Sequence, residues 1–315
     1  MDVLSEGGFS LIQGDASRAD DRRSRSLNAR PPYGREHSVS CSVLGQEPAT
    51  ARSLVREISV ASEALTCALS IARARFGTLL QTASKGTTGD IVTDVDLLCE
   101  TKITEIIRAA FPEHSVIVEE AQSFHTAGPW TWIVDPLDGT NNYAYGLPLW
   151  GISITLCYQR HPVIACIAEG FSGAIIKAVC NEGVWVNEKP WAPTLETAKH
   201  RSAALWLGYD TDRESDDFQD VLSVLTKSTR RVFENWAPTI DVGLFLRSGI
   251  DVIVGRDCSG TELPAALTVL REAGARILDI HGADVSLDNV PNFFVAGRAS
   301  VVHGLLRDLQ IVLGS

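Results

Sequence analysis

The stretch IVDPLDGTNNY, residues 133–143, decides both the expected fold and the expected site. Its apolar run ends in Asp135, and Asp138 follows after a proline and a leucine. The proline biases Asp135 toward an extended conformation, which is typical of a strand end. Gly139 and Thr140 can then open a short helix, whose first backbone N–H groups can bind an oxyanion. Two carboxylates beside such amides predict a hard cation such as Mg²⁺ that shares a phosphate.

A second acidic position lies upstream, where the apolar run SVIV (115–118) ends in Glu119 and Glu120. Ligands collect at strand ends in sheet-based sites, so Glu119 can join Asp135 and Asp138. Three uncompensated carboxylates raise one another's pKa values, and a divalent cation removes that repulsion. The alternative is that Glu119 and Glu120 are solvated acids at the entry to a loop.

Asp96 has two interpretations. Thr93 and Asp96 have the spacing of a capping box, so Asp96 can serve only to cap a helix. Its carboxylate can also orient the Thr140 hydroxyl, which would then polarise a metal-bound water. One residue can do both, and the sequence leaves the two roles open.

Composition narrows the class of protein. The 315 residues are enough for two modest domains or one large one. A net charge of −11 argues against non-specific binding to nucleic acid or to an anionic membrane. No apolar run has spanning length, and the N-terminus lacks the basic-then-apolar order of a secretory signal. Seven scattered cysteines without CxxC spacing predict reduced thiols in the cytoplasm.

The chain divides into three segments. Residues 1–48 are rich in Ser, Arg and Asp without a sustained period, which predicts a disordered N-terminal tail. We expect an α+β metal-site domain at 49–195 and an α/β domain at 196–315. Periodicity predicts helices near 54–76, 94–111, 217–226, 239–247, 262–273 and 300–313. Strands are predicted at 115–120, 131–135, 152–158, 163–170, 174–180, 184–186, 202–208 and 251–255, then at RILDI and FFVAG, with an antiparallel meander over 163–186.

Three ordered motifs now carry a resemblance. The stretch DPLDGT (135–140) resembles the signature of the inositol monophosphatase-like, magnesium-dependent, lithium-sensitive phosphatases. Lys85 with DIVTDVD (90–96) resembles the segment before that family's first metal-site helix, and Glu119-Glu120 matches its acidic pair. The similarity covers roughly residues 50–315 in the right order and spacing.

The resemblance implies an α+β fold, an αβαβα layered sandwich of the inositol monophosphatase and fructose-bisphosphatase type. It implies hydrolysis of a small phosphomonoester by metal-activated water, with two or three Mg²⁺ ions. By position, Glu119, Asp135 and the Leu137 carbonyl would hold the first ion, and Asp135 and Asp138 the second. Glu119 would also serve a third, weaker ion. Gly139 and Thr140 would bind the phosphate through backbone amides, while Thr140 and Asp96 would help to activate the water. A homodimer is expected as well.

Two positions depart from the family's pattern. The family usually supplies a further metal ligand from a Trp-Asp pair, and the aligned pair is Thr261-Glu262. Glu262 keeps a carboxylate but adds a methylene, about 1.5 Å, which predicts a weakened or rearranged second ion site. It can instead be a first-turn acid favoured by the helix dipole. An acid that contacts a ring hydroxyl in inositol-phosphate enzymes is replaced by Gly255, which argues against myo-inositol monophosphate. The adjacent Arg256 can meet a second phosphate or carboxylate, or be a solvated arginine.

Other functions remain open. A nucleotide 3′-phosphatase or a fructose-bisphosphatase-like activity is the near alternative. A catalytically weak, phosphate-binding regulatory relative is the more distant one. Four tryptophans could stack a base but are read as core and rim packing: Trp130, Trp132, Trp150 and Trp236. The chain has neither the Cys-x₅-Arg segment of a cysteine phosphatase nor a G-x-S-x-G motif. The dispersed histidines show no metal-ligand spacing.

Overall fold

The computed structural model describes residues 54–85, 89–193 and 202–314. The tail predicted at residues 1–48 therefore lies outside the described residues, as does the boundary predicted near residue 195. The division into domains stays a prediction. No helix in the described part of the chain is both long and apolar enough to cross a lipid bilayer.

Two long helices form the first layer. Helix α1 (Val55–Arg75) leads through the hairpin of β1 (Thr82–Lys85) and β2 (Asp90–Thr93) into α2 (Asp94–Ala110). The predicted apolar face of α1 is buried and packs against α2. Helix α2 begins at a capping box and ends before a proline, which cannot continue a helix. The two predicted helices are confirmed.

A seven-stranded sheet forms the second layer. Its strands are β3 (Ser115–Val118), β4 (Trp130–Asp138), β5 (Gly151–Tyr158), β6 (His161–Glu169), β7 (Ile175–Val179), β8 (Gly183–Val186) and β9 (Lys189–Pro190), adjacent in that order. Strands β3 and β4 are parallel, and every later pair is antiparallel, which confirms the predicted meander. The short helix α3 (Thr140–Ala144) connects β4 to β5. Strands β5 and β6 are buried on both faces because helices cover both sides of the sheet.

A five-stranded sheet forms the fourth layer. Its strands are β10 (Ser202–Leu207), β11 (Arg231–Phe233), β12 (Val252–Arg256), β13 (Arg276–Asp279) and β14 (Phe293–Gly297), in the spatial order β11-β10-β12-β14-β13. Strand β10 runs parallel to β11 and β12, whereas β14 runs antiparallel to β12 and β13. The helices of this half are α4 (Asp216–Ser228), α5 (Pro238–Leu246), α6 (Leu263–Glu272) and α7 (Ala299–Leu313).

Three buried apolar clusters join these elements into five layers. One lies between the α1–α2 pair and the larger sheet. The second surrounds α5 and α6, which lie between the two sheets, and the third joins the smaller sheet to α4 and α7. The order is therefore helices, sheet, helices, sheet, helices. This arrangement confirms the α+β class and the αβαβα layered sandwich.

Candidate active site

The end of β4 presents the two aspartates. Asp135 pairs with Ser153 and Asp138 with Gly151, so β4 carries one residue more than β5 across this interval. Such a bulge bends a strand and re-aims its side chains. Both carboxylates are buried, with Asp135 2% and Asp138 6% exposed. The Leu137 amide donates to Asp135 Oδ1 over 3.0 Å, which fixes the Pro-Leu turn between them.

Gly139 follows in a left-handed conformation with φ of +82°. A Cβ at this position would lie 2.8 Å from the Leu149 carbonyl oxygen, closer than van der Waals contact allows. Only glycine combines this backbone angle with this close approach. The turn starts α3 and places Thr140 directly beside the two aspartates.

Thr140 is held by Asp96, 44 residues earlier in the chain. Its Oγ1 lies 2.8 Å from Asp96 Oδ1 and 2.8 Å from the Leu137 carbonyl oxygen. Asp96 Oδ2 meanwhile accepts from the Thr93 amide over 2.8 Å, completing the capping box of α2. Asp96 therefore makes both of the contacts considered for it. Burial raises the pKa of Asp96, and hydrogen bonds from Thr93 and Thr140 oppose that rise.

Lys85 neutralises part of the acidic cluster. Its Nζ lies 2.8 Å from Glu119 Oε1 and also pairs with Glu120. Burial opposes the charged form of Lys85, but the two carboxylates outweigh it, so the pKa of Lys85 is raised. Burial raises the pKa of Glu120 to about 7 despite the lysine. Glu119 is the more exposed of the two acids, and its charge acts on Asp135.

Glu262 lies immediately before α6 and caps no amide with its side chain. Part of the residue is exposed, but protein atoms crowd its carboxylate, which folds back over the α-carbon of Gly260. The neighbouring Thr261 hydroxyl reaches Glu119 Oε2 over 3.4 Å, so the start of α6 meets the end of β3. Burial raises the pKa of Glu262 to about 7, and the charge of Glu119 adds to the rise.

The acids predicted from sequence thus interact electrostatically across the site. Burial raises the pKa of Asp135 well above its usual range, and the charges of Glu119, Asp138 and Glu262 raise it further. Burial also raises the pKa of Asp138, and Glu262 is the main added charge. Concentrated buried negative charge of this kind is stabilised by a cation.

The donor chemistry fits Mg²⁺, which prefers carboxylate and carbonyl oxygens. The side chains are nevertheless engaged by the protein itself. Asp138 Oδ2 accepts from the Thr239 amide over 2.7 Å, and Glu119 is paired with Lys85. Within residues 54–85, 89–193 and 202–314, no three His, Cys, Asp or Glu side chains form a ready metal-ligand group. In this structure Asp138 and Glu119 are therefore held by protein donors, Thr239 and Lys85, and are not grouped as metal ligands.

Four residues that the sequence did not single out support this site. Buried Glu100 accepts from the Glu120 and Ala121 amides over 2.8 and 2.9 Å and so holds the loop after β3. The sequence signal for Glu100 was that this acid lies on the apolar face of α2, where a charged residue needs a partner. The other three are buried polar residues on α3 and α5, each with at least one partner distant in sequence: Asn142, Thr239 and Asp241. Nothing local marks their partners.

The structure shows what surrounds Gly255 and the adjacent Arg256, where the sequence departs from the family pattern. A Cβ at Gly255 would lie 2.2 Å from the Phe294 ring, so no acidic side chain fits there without repacking that ring. The Arg256 guanidinium lies 3.5 Å from Asp257 and 3.9 Å from Asp217 on α4. Helix α4 covers the outer face of the smaller sheet, away from α5 and α6. The structure therefore does not bring Arg256 to the carboxylates, and its role in substrate binding stays a prediction.

Known proteins resemble this chain in sequence and in fold. A model of the inositol monophosphatase family matches residues 54–310. Over 219 residues the chain is 28% identical to an inositol-1-monophosphatase of Synechocystis sp.. The aligned region covers 69% of this chain and 76% of that protein. Over 205 residues it is 25% identical to the Nus factor SuhB of Vibrio cholerae, covering 64% and 76%. The structure of the extragenic suppressor protein SuhB from Bartonella henselae superposes with a TM-score of 0.72 at 21% identity, covering 80% of this chain and 98% of that one.

Proposed function

The chain belongs to the inositol monophosphatase family, and on that premise we propose that it is a Mg²⁺-dependent phosphatase. Its substrate would be a small sugar, cyclitol or nucleoside phosphate, which reacts with water to give an alcohol and inorganic phosphate. One observation carries the proposal. The Thr140 hydroxyl, held by buried Asp96, lies in the same turn as the buried pair Asp135 and Asp138.

Five groups would hold two or three Mg²⁺ ions. They are the carboxylates of Glu119, Asp135, Asp138 and Glu262 and the carbonyl of Leu137. Bound Mg²⁺ would neutralise these acids and supply Lewis-acid assistance to the attack of water on phosphorus. Carboxylate and carbonyl oxygens suit this role because they are the donors that Mg²⁺ prefers. The extra methylene of Glu262 would make the second ion site weaker than the first, because Mg²⁺ tolerates little error in ligand geometry.

The remaining site residues would orient the reactants. Thr140 Oγ1 donates its proton to Asp96 Oδ1 or the Leu137 carbonyl, which leaves its lone pairs to accept from an attacking water. The amides of Gly139 and Thr140, at the turn that begins α3, would bind the phosphate oxygens. Lys85 would limit the net charge of the acidic cluster until substrate and metal arrive.

A phosphate-release screen tests the proposal. Purified protein is assayed on sugar, cyclitol and nucleotide phosphates with millimolar Mg²⁺ and with a chelator. We expect release that requires Mg²⁺. Asp138→Asn should abolish it while the circular dichroism spectrum is retained, and Asp308→Asn, on the exposed surface of α7, is the matched control. Retained turnover in Asp138→Asn would overturn the assignment of the site.

A regulatory role is the second candidate, because one relative is named a Nus factor. The enzymatic proposal fails if no substrate in the panel releases phosphate with Mg²⁺ while Asp135→Asn leaves the cellular role intact. We further expect a cytoplasmic homodimer that binds neither nucleic acid nor membranes. Light scattering on the purified protein measures the oligomeric state directly.

A further inference from the structure

Two half-exposed aromatic rings stand together beside the candidate active site. The rings of Tyr209 and Trp236 lie 5.3 Å apart and are tilted by 42°. Tyr209 is 44% and Trp236 37% exposed, whereas Trp132 and Trp150 are fully buried in the core. Trp132 and Trp150 therefore pack in the core, as expected, whereas Trp236 lies at the rim with part of its ring open to solvent. Paired aromatic faces open to solvent are a common form of ligand surface.

Hydrogen bonds made by residues before and after Trp236 place it next to the candidate active site. The Asn235 carbonyl, directly before Trp236, accepts from Asn142 Nδ2 on α3 over 2.7 Å. Three residues after Trp236, the Thr239 amide donates to Asp138. The backbone of Trp236 is thus fixed next to the proposed phosphate-binding turn.

Tyr209 reaches the opposite side of the site. Its hydroxyl is hydrogen-bonded to Asp90, and burial is the main cause of its raised pKa. Asp90 pairs with Lys85 across the β1–β2 hairpin, and Lys85 binds Glu119. Trp236 therefore lies near Asp138, and Tyr209 contacts the hairpin that carries Lys85, the partner of Glu119.

Trp236 is held in an unfavourable backbone conformation. Its φ is +52°, in the left-handed region that non-glycine residues rarely adopt. Buried Asp241 fixes the preceding residue, because its Oδ1 accepts from Asn235 Nδ2 over 2.5 Å. The other oxygen of Asp241 accepts from Trp206 Nε1 over 2.7 Å and anchors the arrangement to the smaller sheet. Strain that neighbouring contacts maintain is concentrated at functional sites, where it presents a side chain for use.

We propose that Tyr209 and Trp236 form a stacking surface for the planar base of a nucleoside phosphate whose phosphate is bound at Asp138 and Thr140. The inference rests on the proposed phosphatase function and specifies its substrate class. A planar base binds more tightly when it stacks on a tryptophan or tyrosine face. A sugar or cyclitol offers mainly hydroxyl groups, which do not stack in this way.

A matched pair of substrates isolates the base. Adenosine 5′-monophosphate and ribose 5-phosphate carry the same phosphomonoester and differ by adenine, and the 2′ and 3′ isomers test the position of the phosphate. With Mg²⁺, wild-type kcat/KM should be higher for at least one adenosine phosphate than for ribose 5-phosphate. Trp236→Ala should lower it about 5- to 100-fold for that substrate, mainly through KM, and leave ribose 5-phosphate unchanged.

Three further variants serve as references. Trp236→Phe keeps a planar ring and should recover most of the loss, and Tyr209→Ala should repeat the effect of Trp236→Ala. Phe171→Ala, at an exposed ring in the β6–β7 turn, should change neither substrate. Equal hydrolysis of both substrates, unaffected by Trp236→Ala, would overturn the stacking surface while the phosphatase stands. If no substrate turns over, the binding of adenosine 5′-monophosphate is measured by calorimetry instead. Binding that is lost in Trp236→Ala supports the stacking surface. Binding that persists unchanged in Trp236→Ala, or that is absent from the wild-type protein, refutes it.

Discussion

Replacing Thr140 by valine tests the group on which the proposed chemistry depends. Valine has nearly the same shape as threonine, so the change removes the hydroxyl and adds no bulk. In the folded protein that hydroxyl lies 2.8 Å from Asp96 Oδ1 and 2.8 Å from the Leu137 carbonyl. Asp96 is 1% exposed, and water therefore cannot replace the lost donor.

The structure sets the expected magnitude. Leaving a buried acceptor without its donor costs about 1–3 kcal/mol, and more when the acceptor is charged. Asp96 Oδ2 keeps its bonds from Thr93, so the carboxylate is only partly deprived of donors. We expect the free energy of unfolding to fall by about 2 kcal/mol. Activity should fall by about 100-fold or more in kcat with little change in KM, because the group would orient the reacting water after substrate is bound.

The assays are urea unfolding followed by circular dichroism and phosphate release with Mg²⁺. Thr140→Ser keeps the hydroxyl and should retain activity within about tenfold. Thr226→Val on α4 is the matched control, since that hydroxyl donates only to carbonyls of its own helix. It should change stability by less than about 0.5 kcal/mol. A Thr140→Val protein that is folded and retains more than about a tenth of wild-type kcat would refute the orienting role of this hydroxyl.

Three further changes test other parts of the site. Gly139→Ala should lower the free energy of unfolding in urea by about 2–4 kcal/mol, because the new Cβ would meet the Leu149 carbonyl. Gly274 also has positive φ but open space around it, so Gly274→Ala should lower it by about 1 kcal/mol. Equal losses of stability in the two variants would contradict the steric argument. Glu262→Asp should shift the Mg²⁺ concentration required for half-maximal activity, with tighter binding expected, and an unchanged titration would mean that Glu262 is not a ligand. Burial raises the pKa of Asp241 from 3.8 to about 6, so wild-type stability should decline as the pH rises from about 4 to 6. Unfolding measured across this range should show a smaller decline in Asp241→Asn, and parallel curves would exclude Asp241 as the titrating group.

Local patterns were sufficient for most of the fold. The helical face of α1, the capping box at Thr93 and Asp96 and the alternation of strands and turns over 163–186 each depend on residues close together in sequence. Such patterns set which face is buried and where an element starts or ends. They do not set the spatial order of the five-stranded sheet, in which β12 lies between β10 and β14.

The same distinction holds within the site. The sequence by itself determined the Asp135-to-Thr140 turn, because a proline, a glycine and two aspartates restrict a short stretch of backbone directly. Only the tertiary structure decided that Thr239 binds Asp138 from 101 residues away and that Asp241 fixes the backbone before Trp236. It also decided that Phe294 fills the space beside Gly255. These contacts depend on how two sheets stack around α5 and α6, and no local spacing encodes that arrangement because the partners lie on elements far apart in sequence.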